Sequence, residues 1–184
     1  MTKSNYPHWL KAARDKWQHT GRKRPSFAIE PAPHQESVWD YPRPPAIIPD
    51  GRLVVVQSDA GIIAKTTSSV RVCETASPPT FYIPPADINF DFLIEAAGSS
   101  MCEWKGSARY WALASEPKQT IGWDYPKPFE GFESIAGFLS FYPGRVQCTV
   151  AGEVVRPQPS GFYGGWITDE IVGPFKGEAG TQGW

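Results

Sequence analysis

The chain has 184 residues with 18 basic and 19 acidic side chains, a formal net charge of −1, and 14% aromatic content beside 19 prolines and 17 glycines. A chain of this length buries roughly 70% of its unfolded surface, so one domain is expected, and no disulfide or metal staple is needed to hold it. Such frequent proline and glycine exclude long helices and favour short strands joined by tight turns. The longest purely aliphatic run, Leu53–Val56, falls far short of a membrane span.

The first element expected is a helix from His8 to about His19. Trp9, Ala13 and Trp17 recur at i, i+4 and i+8, and Lys11, Arg14, Asp15 and Lys16 occupy much of the other face. Gly21 ends it, and Pro25, Pro31 and Pro33 mark an extended linker. Residues 1–26 carry seven basic groups against Asp15 alone, a surplus of +6 that leaves −7 on the remainder. Residues 1–34 therefore read as a basic helical arm with a proline-rich linker, and residues 35–184 as a β domain. Attraction to the acidic body predicts that Trp9 and Trp17 dock there, or on a sister subunit in a homo-oligomer. The same negative body repels phosphate, so nucleic acid is not an expected partner.

In the body, Pro42, Pro44, Pro45 and Pro49 keep the chain extended. Strands are predicted at residues 52–57, 62–66, 69–75 and 80–83, followed by a short helix over 87–97 with Phe90, Leu93 and Ile94 as its apolar side. A strand pair at 101–104 and 107–114 hinges at Gly106, and a strand at 119–125 precedes a helical turn over 133–138. A hairpin at 145–150 and 153–156 turns at Ala151-Gly152, before a Gly- and aromatic-rich tail with little periodicity. One hexapeptide recurs: Trp39-Asp-Tyr-Pro-Arg-Pro44 returns as Trp123-Asp-Tyr-Pro-Lys-Pro128. Each copy is followed by Gly-Arg, a strand, Ala-Gly and a second strand. This pattern is either an internal repeat of two related hairpin units or one packing device used twice.

The chemistry is bounded by what is missing. His8, His19 and His34 all precede the body, so a Ser–His–Asp or Cys–His site there would need the arm. Cys73, Cys102 and Cys148 are scattered with no Cys-x-x-Cys, which predicts reduced thiols and no bound zinc. With charges throughout the first thirty residues and no apolar leader, a cytoplasmic location is expected. No phosphate loop, dinucleotide fingerprint or nucleophile elbow appears, and no cofactor is expected. Strand alternation in Arg71-Val-Cys-Glu-Thr75 sets Glu74 on the face of Val70 and Val72, where a carboxylate needs a cationic partner. Lys105 is a candidate, and the Glu–Lys or Glu–Arg pair would either sit in an aromatic pocket or fix strand register as a buried ion pair. Lys105 as a lowered-pKa amine and Cys102 as a nucleophile are further readings.

Several segments are familiar together: Glu36-Ser-Val-Trp-Asp-Tyr-Pro-Arg-Pro-Pro45, Arg71-Val-Cys-Glu-Thr75 with Pro78-Pro-Thr-Phe-Tyr-Ile-Pro84, Cys102-Glu-Trp-Lys-Gly106, Trp123-Asp-Tyr-Pro126, Phe141-Tyr142, and the tail from Gly164 to Phe175. Over residues 36–184 this order of motifs resembles the domain-of-unknown-function 427 family. The resemblance implies a mainly β, small barrel or tent-like (Mss4-like) single domain with short helical turns, without the zinc of that group and without a known reaction. The function expected is small-molecule binding in an aromatic-lined pocket. Trp39, Tyr82, Trp104 and Trp123 would be its walls, and Arg43, Glu74 and Lys105 its polar groups. One alternative is an enzyme using Glu74 as general acid or base with Lys105 as electrostatic partner. Another is an assembly protein that uses the basic arm and the Gly-rich tail.

Overall fold

The computed structural model describes residues 7–181 and 183–184. One α-helix, α1 (His8–Asp15), precedes β1 (Glu36–Ser37), β2 (Ala46–Asp50), β3 (Val54–Ser58), β4 (Gly61–Thr66), β5 (Ser69–Cys73) and β6 (Thr80–Tyr82). The longest strands follow: β7 (Leu93–Cys102), β8 (Gly106–Leu113) and β9 (Glu116–Asp124). Six short ones complete the chain: β10 (Ser140–Phe141), β11 (Gln147–Val150), β12 (Glu153–Val154), β13 (Arg156–Pro157), β14 (Trp166–Ile167) and β15 (Ile171–Val172). The protein is a small, mainly β domain, as the proline and glycine spacing predicts. Its sheets stay open: none among the described residues closes into a barrel. No helix among them is long and apolar enough to cross a membrane.

Three sheets carry the architecture, in the orders β12-β11-β3-β4, β10-β9-β8-β7 and β2-β5-β6. In the first, the two Ala-Gly hairpins lie side by side, their leading strands paired antiparallel from Val54 opposite Val150 to Gln57 opposite Gln147. The Ala151-Gly152 turn has both residues at positive φ, the twist a two-residue hairpin favours. The hexapeptides differ in conformation. Trp39 sits in a 3-10 turn, Val38–Asp40, whereas Trp123 lies within β9. Pro49 is tolerated in β2 because that strand is an edge, with β5 on one side only.

The helix expected over 87–97 is absent. Residues Pro85–Asp87 and Phe90–Phe92 form 3-10 turns, and the chain then enters β7. The spacing of Phe90, Leu93 and Ile94 is compatible with a helix, but pairing with β8 overrides it. β7 is an edge strand that buries Leu93 and exposes most of its length, and a register shift between Ala96 and Ser99 at Gly98 breaks its alternation. The period-2 signal was therefore never in the sequence.

The largest core cluster packs Val54, Val56, Ile63, Phe81, Ile121 and Phe141 among others, with Trp166 stacked on Phe81 at 4.9 Å. The indole of Trp166 also donates to the Phe141 carbonyl (2.9 Å). A second cluster gathers Val72, Tyr82, Trp104, Trp123, Tyr125 and Phe132, and a third surrounds Trp39 and Tyr41.

The arm folds back on this body. Helix α1 stops at Asp15, earlier than expected, so Trp17 leaves the helical face it would have shared with Trp9. Leu10 is the buried helical residue, while Trp9 is 52% exposed, a correction to the expected docking of both indoles. Trp17 does dock: its indole donates to the Glu103 carboxylate (2.8 Å), and the Arg14 guanidinium donates to the Glu103 carbonyl (2.7 Å). Farther along, Gly21 adopts φ +76° so close to the Tyr41 carbonyl that a Cβ there would collide with it.

Candidate functional site

Docking of the arm completes a cavity of about 200 Å³ beside the second core cluster. Its floor comes from β5, β6, β8 and β9, which contribute Val72, Tyr82, Tyr110 and Trp123. The arm adds Lys16 and Trp17, and the tail adds Tyr163 and Lys176. The tail approaches closely at Gly164, where a Cβ would overlap the Trp123 ring. Around the mouth, Lys16, Met101 and Phe162 are exposed.

The seven residues expected to form a pocket divide. Glu74, Tyr82, Lys105 and Trp123 line this cavity. Trp39 does not: it is fully buried in the third cluster, donating to the Pro174 carbonyl (3.1 Å). Trp104 packs in the second cluster with the Arg14 guanidinium over its ring, away from the lining. Their aromatic character signalled burial, which a core satisfies as well as a pocket does.

Arg43 stands behind the wall. Its Nε donates to Glu74 Oε1 (3.0 Å), Nη1 to the His19 carbonyl (2.9 Å), and Nη2 to the carbonyls of Thr75 and Trp184 (2.9 Å each). One buried guanidinium thus ties the arm, the body and the C-terminus together. Of the two pairs expected for Glu74 the Glu–Arg one forms: its partner is Arg43 and not Lys105, because the Arg fork reaches four acceptors where an ammonium could not. Glu74 does lie on the face of Val72, as alternation predicts, and both line the cavity.

Lys105 is 9% exposed and makes no ion pair among the described residues. Cys102 is within hydrogen-bonding reach, and the rings of Tyr125 and Phe132 lie about 6 Å away (5.9 and 6.0 Å). Burial works against its charge, while Cys102 and Tyr82, in their ionised forms, and Glu74 push the amine above an ordinary lysine. Lys105 is therefore not the lowered-pKa amine that its position suggests. Tyr82, which accepts from the Trp123 indole (3.2 Å), is pushed up to about 12, chiefly by burial, and stays a neutral hydroxyl.

The lowered amine is Lys176, which sequence reasoning missed. It is 3% exposed, with Nζ 3.5 Å from the Trp17 ring centroid and 5.0 Å from that of Tyr163. Burial draws it down to about 8; Arg43 and Lys16 push the same way, while Glu74 and Glu103 pull against them. The available signal was a lone lysine after residue 127 in a tail otherwise rich in glycine and aromatics. Its backbone is pinned by donation to the Ala76 carbonyl (2.7 Å), and its own carbonyl accepts from Gln158 (2.5 Å).

Cys73 and Cys148 are buried thiols, and Cys102 is half-buried at the cavity. Burial raises Cys73 to about 12, with Glu36 and Asp50 adding to the rise and Arg71 opposing it. No group of three potential metal ligands gathers among the described residues.

Fold and site together define a small, open-sheeted β protein with an aromatic cavity closed by its own arm and tail. The family model described as domain of unknown function (DUF427) matches residues 46–152, more than half of the chain, and the protein belongs to that family. The matched stretch holds the cavity floor, Glu74 and Lys105, while the arm residues and Lys176 fall outside it. A search among curated proteins finds no match.

Proposed function

We propose that the protein binds a small anionic molecule carrying a flat ring or other unsaturated body in this cavity. The observation that carries the reading is Lys105: a buried lysine at the cavity wall with no carboxylate in ion-pairing range among the described residues. A buried charge is costly unless paired, and an incoming anion supplies the missing partner. Trp123 and Tyr142, 4.5 Å apart, add aromatic lining for the rest of the ligand. At about 200 Å³ the space lies below the roughly 300–1,000 Å³ typical of drug-sized sites, which points to a metabolite-sized occupant.

The alternatives are less well supported. Glu74 as a general acid or base would have to act while ion-paired to Arg43 at 3.0 Å. An assembly role for the arm and tail competes with their use inside the chain, where Trp17 meets Glu103 and Trp184 stacks on Phe27 at 5.0 Å. Titration of tryptophan emission with a panel of small aromatic carboxylates tests the reading. Saturable quenching by acids, and weak quenching by their neutral amides, is expected; equal response to both would refute it.

A further inference from the structure

Three lysines line the cavity; Lys16 is exposed, and the two buried ones differ in their surroundings. Lys105 is deep in the body among Cys102, Tyr82 and Tyr125. Lys176 comes from the tail, sandwiched by Trp17 and Tyr163, with Arg43 and Lys16 as nearby cations. An amine excluded from water and set beside other cations is the arrangement that turns lysine into a nucleophile. It also needs access to a reactant, and the exposed lining residues Lys16, Met101 and Phe162 put the cavity in contact with solvent.

We propose that Lys176 is a reactive amine that condenses with the carbonyl group of a small aldehyde or keto acid held in the cavity. This rests on the reading of the cavity as a ligand site and adds the chemical class of the ligand. In the step, the Nζ lone pair attacks the carbonyl carbon and the C–O π electrons pass to oxygen. Transfer of one N–H proton to that oxygen gives a carbinolamine, and loss of water leaves an Nζ=C imine. No oxidant or metal is required. Burial acts most strongly on the protonation of Lys176, and the charged groups that face it are Glu74 from the body, Arg43 behind it, Glu103 in the β7–β8 turn and Lys16 on the arm. With these in place Lys176 is drawn down to about 8, so the free amine is far more abundant near neutral pH than for an ordinary lysine.

The test is reductive trapping on the full chain. Protein is incubated at pH 8 with pyruvate or, separately, with neutral propanal; cyanoborohydride is added, and modified lysines are mapped by mass spectrometry. The proposal expects Lys176 to be labelled at least tenfold faster than the exposed Lys65, Lys118 and Lys127, with Lys105 unlabelled. Lys176→Arg should remove the fast phase. Labelling that simply follows exposure, or that reaches Lys105 as readily as Lys176, overturns it. Lys176 labelled equally by pyruvate and propanal, with no loss of rate in Lys105→Met, sustains the amine and defeats the anion site. Saturable binding of benzoate without any label on Lys176 defeats the amine and leaves the anion site standing.

Discussion

Replacing Arg43 with methionine removes a buried guanidinium that contacts arm, body and C-terminus at once. The guanidinium is 2% exposed and makes four hydrogen bonds, to Glu74, His19, Thr75 and Trp184, while lying 4.4 Å from the Trp17 ring centroid. Methionine conserves much of the stem's volume, so the loss is of charge and donors and not of packing. Glu74, with a side chain 19% exposed, keeps limited access to water and pairs with nothing in exchange. Breaking a buried ion pair from one side costs about 3–5 kcal/mol, and the orphaned carbonyls of Thr75 and His19 place this case toward the upper end. In a chain of this size each kcal/mol lowers Tm by about 2–4 °C, so a fall of roughly 10–15 °C is expected by calorimetry. The arm should also become sensitive to trypsin at Arg22, Lys23 and Arg24, since His19 has lost its anchor. A Tm within about 2 °C of wild type, with an arm that stays resistant, would refute the view that Arg43 joins the three segments.

Further perturbations test the same account. Asp124 is fully buried and accepts from Arg109 twice (2.9 and 2.8 Å) and from the Trp111 indole (2.9 Å), so Asp124→Asn should cost about 2–3 kcal/mol by urea denaturation. Lys176 has a folded pKa of about 8 against an ordinary 10.5, so its buried charge opposes folding below pH 8, and this penalty fades between about pH 8 and 10.5, where the unfolded chain still holds the proton. About 3 kcal/mol of such cost, less about 1 kcal/mol returned by the Trp17 face, predicts Lys176→Met to be about 2 kcal/mol more stable at pH 7. That advantage should close by about pH 10.5 in denaturant titrations. Deleting residues 1–34 should leave a folded body with lowered Tm and abolish ligand-dependent quenching, because Lys16 and Trp17 leave the cavity.

Much of the fold was legible in the sequence, and the misses have physical causes. The hairpins at Ala60-Gly61 and Ala151-Gly152 were readable because turn residues and flanking β-branched runs agree locally. The 87–97 segment was not, because β7 is an exposed edge strand whose bulge at Gly98 erases alternation. Glu74 is legible from strand parity and Lys105 as a cation that could meet it, although Arg43 makes that pair. Lys176 was hidden because its environment is assembled from the arm, the body and the tail, and no local pattern encodes that meeting. Trp39 and Trp104 show the converse: their rarity drew attention, yet both serve the packing that holds the arm and tail in place.

Whether Lys105 holds an anion is measured by calorimetric titration of benzoate and of benzamide into wild type and into Lys105→Met. Benzoate should bind wild type at least tenfold more tightly than benzamide, about 1.4 kcal/mol, and that preference should vanish in Lys105→Met while the variant retains its fold. Equal affinity for acid and amide in the wild type, or a preference for benzoate that survives in Lys105→Met, would contradict the account.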